Sequence, residues 1–336
     1  MKALITGVTG MVGSHLTDFL LKNTDWEIYG MCRWRSPSNH ISHLASLVNS
    51  GERFFLEYAD LRDTLSIQNV VKKVRPDYVF HLAAQSYPQT SFSAPLDTLD
   101  TNIQGTARVL ESVREYCPGA VVHICASSEV FGRVSSDKLP IDEECSFHPA
   151  SPYAISKVGT DLLSRYYAEA YSLCTVSTRM FTHTGPRRGD VFAESSFAKQ
   201  IALIEADLVE PVIKVGNLES LRTIADVRDA VRAYYLLVTT DPEPGEYYNI
   251  GGNTTLTIGN ILQDLISMSK FEGRITTEID QARLRPIDAD LQVPDTTKFK
   301  RKTGWEPIFS YSQTLEDLLN YWRVVVASGS ADYIVR

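Results

Sequence analysis

Short apolar runs alternate with stretches of helical periodicity through the first half of the chain, a pattern that predicts strands joined by crossover helices. Strands are predicted at Ala3 to Thr6, Glu27 to Met31, Phe54 to Tyr58, Tyr78 to His81, Ala120 to Cys125 and Thr175 to Phe181. The stretches that begin at Met11, Ser66, Asp97 and Tyr153 carry apolar residues at helical spacing. Further along, Ser196 to Leu208 predicts a helix, Pro211 to Val215 a short strand and Asp226 to Val238 a helix. A Pro-Glu-Pro-Gly turn at 242 to 245 precedes a strand from Tyr247 to Ile250. Leu256 to Met268 and Ser312 to Val325 are predicted to be closing helices. Strands alternating with helices indicate an α/β protein, a Rossmann-type doubly wound parallel sheet with a smaller mixed α/β C-terminal lobe. The expected division places 1–180 in the nucleotide-binding domain, with 219–250 returning to it, and 181–218 and 251–330 in a substrate lobe. No repeat, low-complexity tract or long linker interrupts this organisation.

The 336 residues suffice for such a large domain with an appended lobe. A formal net charge of −8 leaves no basic footprint for nucleic acid, so the cations that meet an anionic ligand must be local. No apolar run approaches the roughly 20 residues of a membrane span. Met1-Lys-Ala-Leu-Ile-Thr-Gly7 enters a strand pattern at once, which leaves no room for a signal peptide, and the expected location is the cytoplasm. Cys32, Cys117, Cys125, Cys145 and Cys174 lack the spacing of a zinc site or a disulfide framework, so reduced thiols and no metal are expected.

Thr6-Gly7-Val-Thr-Gly10-Met-Val-Gly13 follows the first strand and opens a helix, the context a dinucleotide fingerprint requires. Gly7 can make the tight turn, Gly10 lets backbone approach a pyrophosphate beside Met11 and Val12, and Gly13 allows close packing of helix on sheet. An acid at the end of the second strand would suit the ribose 2′-hydroxyl of NAD. The chain has Met31-Cys-Arg33-Trp-Arg35-Ser36 there, which suits the 2′-phosphate of NADP over NAD or forms a solvated basic turn. Asp60-Leu61 is either a partner for the adenine amino group or a turn.

Ser151-Pro-Tyr153-Ala-Ile-Ser-Lys157 puts a phenol and an amine on one helix face, where the cation can lower the phenol pKa. Ala126-Ser-Ser-Glu-Val-Phe-Gly132 adds the Ser127 hydroxyl and the Glu129 carboxylate at a strand end. Glu129 is either a catalytic acid or a cap, and alcohol–ketone chemistry alone does not need it. His183, also at a strand end, is predicted to be packed.

These segments, with Leu82-Ala83-Ala84 and Phe181-x-x-x-Gly-Pro186, resemble the extended short-chain dehydrogenase/reductase family to about Arg323. Within it, Ser127 to Gly132 and Gly185-Pro-Arg187-Arg188-Gly189-Asp-Val-Phe192 are most similar to the GDP-mannose 4,6-dehydratase branch. Val215-Gly-Asn217-Leu-Glu-Ser-Leu-Arg222, Asp226-Val-Arg-Asp229 and Arg283-Leu-Arg285-Pro-Ile-Asp288 are also similar to GDP-4-keto-6-deoxymannose reductases. The resemblance implies a GDP-sugar substrate and NADP in the glycine loop, against Leu82, Ala83 and Ala84. It makes Ser127, Tyr153 and Lys157 the oxidoreductive set and Glu129 the carboxylate that moves the C5 proton. It implies Arg188, Arg222 and Arg285 with Asp288 at the diphosphate and ribose, Lys199 and Asn217 near the guanine or ribose, and Ser86, Ser128 and Thr182 elsewhere along the substrate. Ser128 stands where relatives acting on dTDP-glucose have a second acid. Thr182 and Thr223 replace the branch's usual Asn and Asp, a departure that bears on the nucleotide end. The resemblance also implies a homodimer through Asp97 to Tyr116 and Tyr153 to Tyr171, or a homotetramer through Arg33 to His43.

Overall fold

The computed structural model describes residues 1–271, 273–287 and 289–329. Six parallel strands follow the predicted runs to within about a residue at most ends: β1 Lys2–Thr6, β2 Glu27–Cys32, β3 Phe54–Tyr58, β4 Tyr78–His81, β5 Val121–Cys125 and β6 Cys174–Met180. After them come β7 His183–Thr184, β8 Val212–Val215, β9 Leu221–Asp226, β10 Tyr247–Ile250, β11 Thr254–Thr257, β12 Thr276–Ile279 and β13 Leu291–Gln292. The large sheet has the order β10-β6-β5-β4-β1-β2-β3 with every pair parallel, so strand order reverses between β1 and β4. Ligands of doubly wound sheets bind beyond the carboxyl ends of the strands at that reversal, here at Gly7 and Leu82. Because helices cover both faces, β1 is apolar on both sides: Ala3 and Ile5 join one buried core and Leu4 the other.

The second lobe packs the helices Ala193–Glu205, Ile258–Ser267 and Tyr311–Ala327 around Ile213, Val215 and Trp322. Its strands are β11-β9-β13 with β7 beside β9, and β12 pairs with β8. The return to the large sheet, expected from 219, starts at Val227: β9 belongs to the small sheet, and the helix Val227–Thr239 and β10 make the return. The helix expected from Leu256 starts instead at Ile258. The β-branched run Thr254–Thr257 pairs with β9, and Thr257 and Asn260 then close a capping box.

The helix Pro152–Tyr171 is fastened to β6 by a buried charge cluster. Asp161 accepts from Arg179 at 3.2 and 2.9 Å, from Ser177 at 3.0 Å and from Arg165 at 2.9 Å, and Arg179 also donates to the Glu143 carbonyl. Removing one member of a buried pair leaves an uncompensated charge. Asp161→Ala is therefore expected to destabilise the fold by about 3–5 kcal/mol in urea unfolding. A loss below about 1 kcal/mol would mean that the rings of Tyr247 and Phe147, stacked on Arg179 at 4.2 and 4.8 Å, hold it unaided.

Candidate active site

At the end of β1 the chain turns through Gly7 at φ +73°, and a Cβ there would stand 2.9 Å from the Ala83 backbone. The Thr6 hydroxyl accepts from the Leu82 and Ala83 N–H groups, each at 3.0 Å, and locks the ends of β1 and β4 together. Gly10 caps the helix Met11–Asn23, whose first intrahelical bond runs from Ser14 N to Gly10 O. The helix geometry leaves the earlier first-turn N–H groups without intrahelical partners, and Gly10, Met11, Val12 and Gly13 line one wall of a cleft of about 570 Å³. A Cβ on Gly10 would meet only the Gly7 carbonyl, at 3.3 Å, so the backbone is accessible from the cleft. These features suit a dinucleotide pyrophosphate.

After β5, Ser127 caps a 3₁₀ turn, Ser128–Val130, by accepting from Glu129 N at 3.2 Å; Ser127, Ser128 and Glu129 all line the cleft. Ser151 caps the helix opposite by accepting from Ala154 N at 3.0 Å, and Pro152 occupies its first turn. Tyr153 and Lys157, 8% and 6% exposed, consequently face the same cleft one turn apart. Lys157 donates to the Cys125 carbonyl at 2.6 Å, and burial lowers its pKa.

The electrostatics of Tyr153 differ from the expectation that Lys157 would depress it. Burial pushes the phenol well up, the hydrogen bond with Ser127 pulls it back, Cys125 and Glu129 add to the rise, and Arg188 opposes it. Lys157 instead lies 5.9 Å from the centre of the Tyr153 ring, with its charge directed at the strand-end carbonyl.

The lobe supplies the facing wall. Thr182, His183 and Arg188 line it on the β6–β7 side; Gly185 at φ +144° and Arg187 at φ +68° shape the turn between them. Arg188 packs 3.4 Å over the Phe192 ring and pairs with Glu194 at 3.2 Å, and burial lowers its pKa. His183, bonded to the Phe181 carbonyl at 3.1 Å, is held down to about 4 by burial and by Arg188, and is thus neutral at pH 7. Asn217, Arg222 and Arg285 line the remaining side. Asn217 contacts Ser220 and Asp290 at 3.0 and 3.2 Å, Arg222 donates to the Leu221 and Asp290 carbonyls, and Arg285 stands 3.7 Å from Glu129.

Of the sequence-predicted residues, the cleft also gathers Gly7, Leu82, Ala84 and Ser86. Ala83 packs beneath Gly7. Lys199 is drawn away from the lining to Asp190, at 2.7 Å, with Trp322 beside it. Leu61 is buried against Gly105, and Asp60 accepts from Arg62 N at 3.0 Å, the geometry of a turn residue. Arg33, Arg35 and Ser36 lie outside the cleft lining, on the turn after β2. Asp288 lies outside the described residues. Sequence reasoning missed His40, Tyr87, Gln89, Phe192 and Glu194, all of which line the cleft. Glu194 had a usable signal: the helix begins at Ala193, three residues before the predicted start, and carries this acid in its first turn. Among the described residues, no group of three or more His, Cys, Asp or Glu side chains could hold a metal ion, and no helix is long and apolar enough to cross a membrane.

A doubly wound sheet with a glycine loop at its reversal, and a Ser, Tyr and Lys set at the next strand end, defines a short-chain dehydrogenase/reductase. The profile of the family described as "GDP-mannose 4,6 dehydratase" matches residues 4–318, and the chain belongs to that family. It is 32% identical to GDP-mannose 4,6 dehydratase 2 of Arabidopsis thaliana, over 95% of this chain and 86% of that protein. It is 30% identical to GDP-mannose 4,6-dehydratase of Yersinia enterocolitica, over 95% of this chain and 92% of that protein. The solved structure of RMD from Pseudomonas aeruginosa complexed with NADPH superposes with a TM-score of 0.80 at 26% identity, over 96% of this chain and 99% of that one.

Proposed function

We propose that this protein is a cytoplasmic hydro-lyase that converts GDP-mannose to its GDP-4-keto-6-deoxy product, with NADP as a retained cofactor. The observation that carries this reading is Glu129, a carboxylate in the same cleft as Ser127, Tyr153 and Lys157. Reduction of a 4-ketone alone does not require a group that removes the C5 proton. The cofactor fits along Gly7 to Gly13, with Leu82, Ala83 and Ala84 on its other side and Lys157 at its ribose. Held by these residues, a nicotinamide cofactor would supply the hydride acceptor for C4 and donor for C6.

Tyr153 takes the proton of the 4-hydroxyl after losing its own, a loss that the Ser127 hydrogen bond and Arg188 favour against the effect of burial. The resulting 4-ketone acidifies the C5 hydrogen, and Glu129 removes it. The C5 electron pair then forms the C5–C6 double bond as the 6-hydroxyl departs, and Glu129 gives it the proton to form water. When C6 regains hydride, C5 takes a proton from solvent, and Tyr153 releases to solvent the proton it took from the 4-hydroxyl. One carboxylate serves both steps, consistent with Ser128 rather than a second acid beside it. Arg222 and Arg285 are assigned to the diphosphate and Asn217 to the nucleotide end; Arg188, expected at the diphosphate, is instead assigned to the sugar, since its charge acts on the Tyr153 phenol and it packs on Phe192 beside Glu194. GDP-mannose incubated without added reductant should lose one water by mass spectrometry with no net consumption of NADPH. Failure to do so, with NADPH oxidised by GDP-4-keto-6-deoxymannose, would make the protein a reductase.

NADP is assigned because Arg33 and Arg35 stand where the second strand ends and no acid does. Replacing both by Ala is expected to weaken NADP about tenfold or more and NAD little. Equal losses for the two cofactors in a calorimetric titration would remove the 2′-phosphate from the account. Self-association is assigned to the helix Pro152–Tyr171, whose Ile155, Leu162 and Tyr166 are exposed on one side.

A further inference from the structure

β12 leads into a segment, 280–287, that touches both walls of the cleft. On the lobe side, Asp280 N donates to the Val215 carbonyl at 2.9 Å and Arg283 donates to the Ser196 hydroxyl at 2.9 Å. The Arg283 carbonyl also passes so close to Gly216 that a Cβ there would stand 2.9 Å from it. On the Rossmann side, Gln89 donates to the Ala282 carbonyl at 3.4 Å, and Arg285 reaches the Glu129 carboxylate at 3.7 Å. That last distance is within Coulombic reach but too long for a hydrogen bond. Both side chains are half-buried, and at 3.7 Å they have Coulombic attraction without a hydrogen bond to hold the pair in place. A diphosphate offers an arginine shorter, charge-assisted, bidentate bonds.

We propose that Arg285 changes partner on binding, from the Glu129 carboxylate to the diphosphate of the sugar nucleotide, so that seating the nucleotide leaves Glu129 to act on C5. The proposal rests on the dehydratase reading and adds a positioning role for Arg285: it couples occupancy of the nucleotide end to the base at the sugar end. An arginine that only bound phosphate would have no energetic link to Glu129. An arginine that only neutralised Glu129 would have none to the diphosphate.

A double-mutant cycle on the full chain with NADP present, read by calorimetric titration of GDP, separates these cases. Because GDP lacks the sugar, turnover does not enter. Arg285→Gln is expected to weaken GDP about tenfold or more. Glu129→Gln is expected to tighten GDP about 2- to 5-fold, because GDP no longer competes with the carboxylate for Arg285. In the Arg285→Gln background the same Glu129→Gln change should have no effect, whereas Arg285→Lys should keep part of it. A merely structural role for Arg285 does not produce a gain of affinity on changing Glu129. The proposal is overturned if Glu129→Gln leaves GDP affinity unchanged, or tightens it equally with and without Arg285, since the second result reports general charge repulsion. Failure of the wild-type protein to bind GDP at all would be a different result and would overturn the GDP-sugar reading itself.

Discussion

Tyr153→Phe is expected to lower kcat by about 10²- to 10⁴-fold, the range over which a positioned acid–base group acts, while binding of the nicotinamide cofactor stays within a few-fold. The substitution removes one oxygen and keeps the ring, so the packing of the first helical turn survives. Lys157 keeps its bond to the Cys125 carbonyl, because that bond does not involve the phenol. A fall of less than about tenfold would move the C4 proton to another group. The raised pKa of the phenol has a further consequence. Ser127 is the hydrogen-bond partner that opposes the effect of burial, so Ser127→Ala should raise the phenol pKa further. Activity depends on the deprotonated form, hence the rise of kcat/KM with pH should move to more alkaline values. An unmoved pH profile would detach Ser127 from the titration of Tyr153.

The second large effect belongs to Glu129. Glu129→Gln keeps the shape and the bond from its own N–H to Ser127 but cannot accept the C5 proton. Dehydration should fall by about 10²- to 10⁴-fold. Oxidation at C4, which does not use the carboxylate, should still proceed, and rapid mixing with GDP-mannose should therefore show reduced cofactor accumulating on the enzyme without release of water. This pattern distinguishes a lost base from a damaged site, since damage would suppress reduction of the cofactor as well. Near-normal turnover would remove Glu129 from the mechanism.

The parts of the fold visible in the sequence are those where burial on both faces imposes one simple pattern. β1 to β5 are mainly apolar because helices cover each side of the sheet, whereas β6 also carries Thr175, Ser177, Thr178 and Arg179, each hydrogen-bonded inside the domain. β9, although just as buried, reads Leu-Arg-Thr-Ile-Ala-Asp, since its polar members Arg222, Thr223 and Asp226 bond the Asp290 carbonyl, Thr255 and Thr314 of the lobe. β12 is exposed along its whole length and has no apolar pattern to read. Tyr153 and Lys157 were legible because their spacing follows a strand end that carries Ser127, so local geometry alone brings them together. Gln89 and His40 meet the cleft only through the tertiary path of two separate segments, and no spacing announces that. The pKa of Tyr153 could not be read either: the helical pairing with Lys157 is real, but burial of the phenol and the strand-end carbonyl that holds the ammonium are tertiary facts.

The central claim is that hydride leaves C4 and returns to C6 of the same sugar on one bound cofactor. GDP-mannose carrying deuterium at C4, turned over with a catalytic amount of protein and no added reductant, tests it directly by mass and nuclear magnetic resonance spectroscopy. A 4-keto-6-deoxy product with the deuterium at C6 and a solvent-derived hydrogen at C5 is expected. Product lacking deuterium at C6, or formed only when NADPH is supplied and consumed, would contradict it.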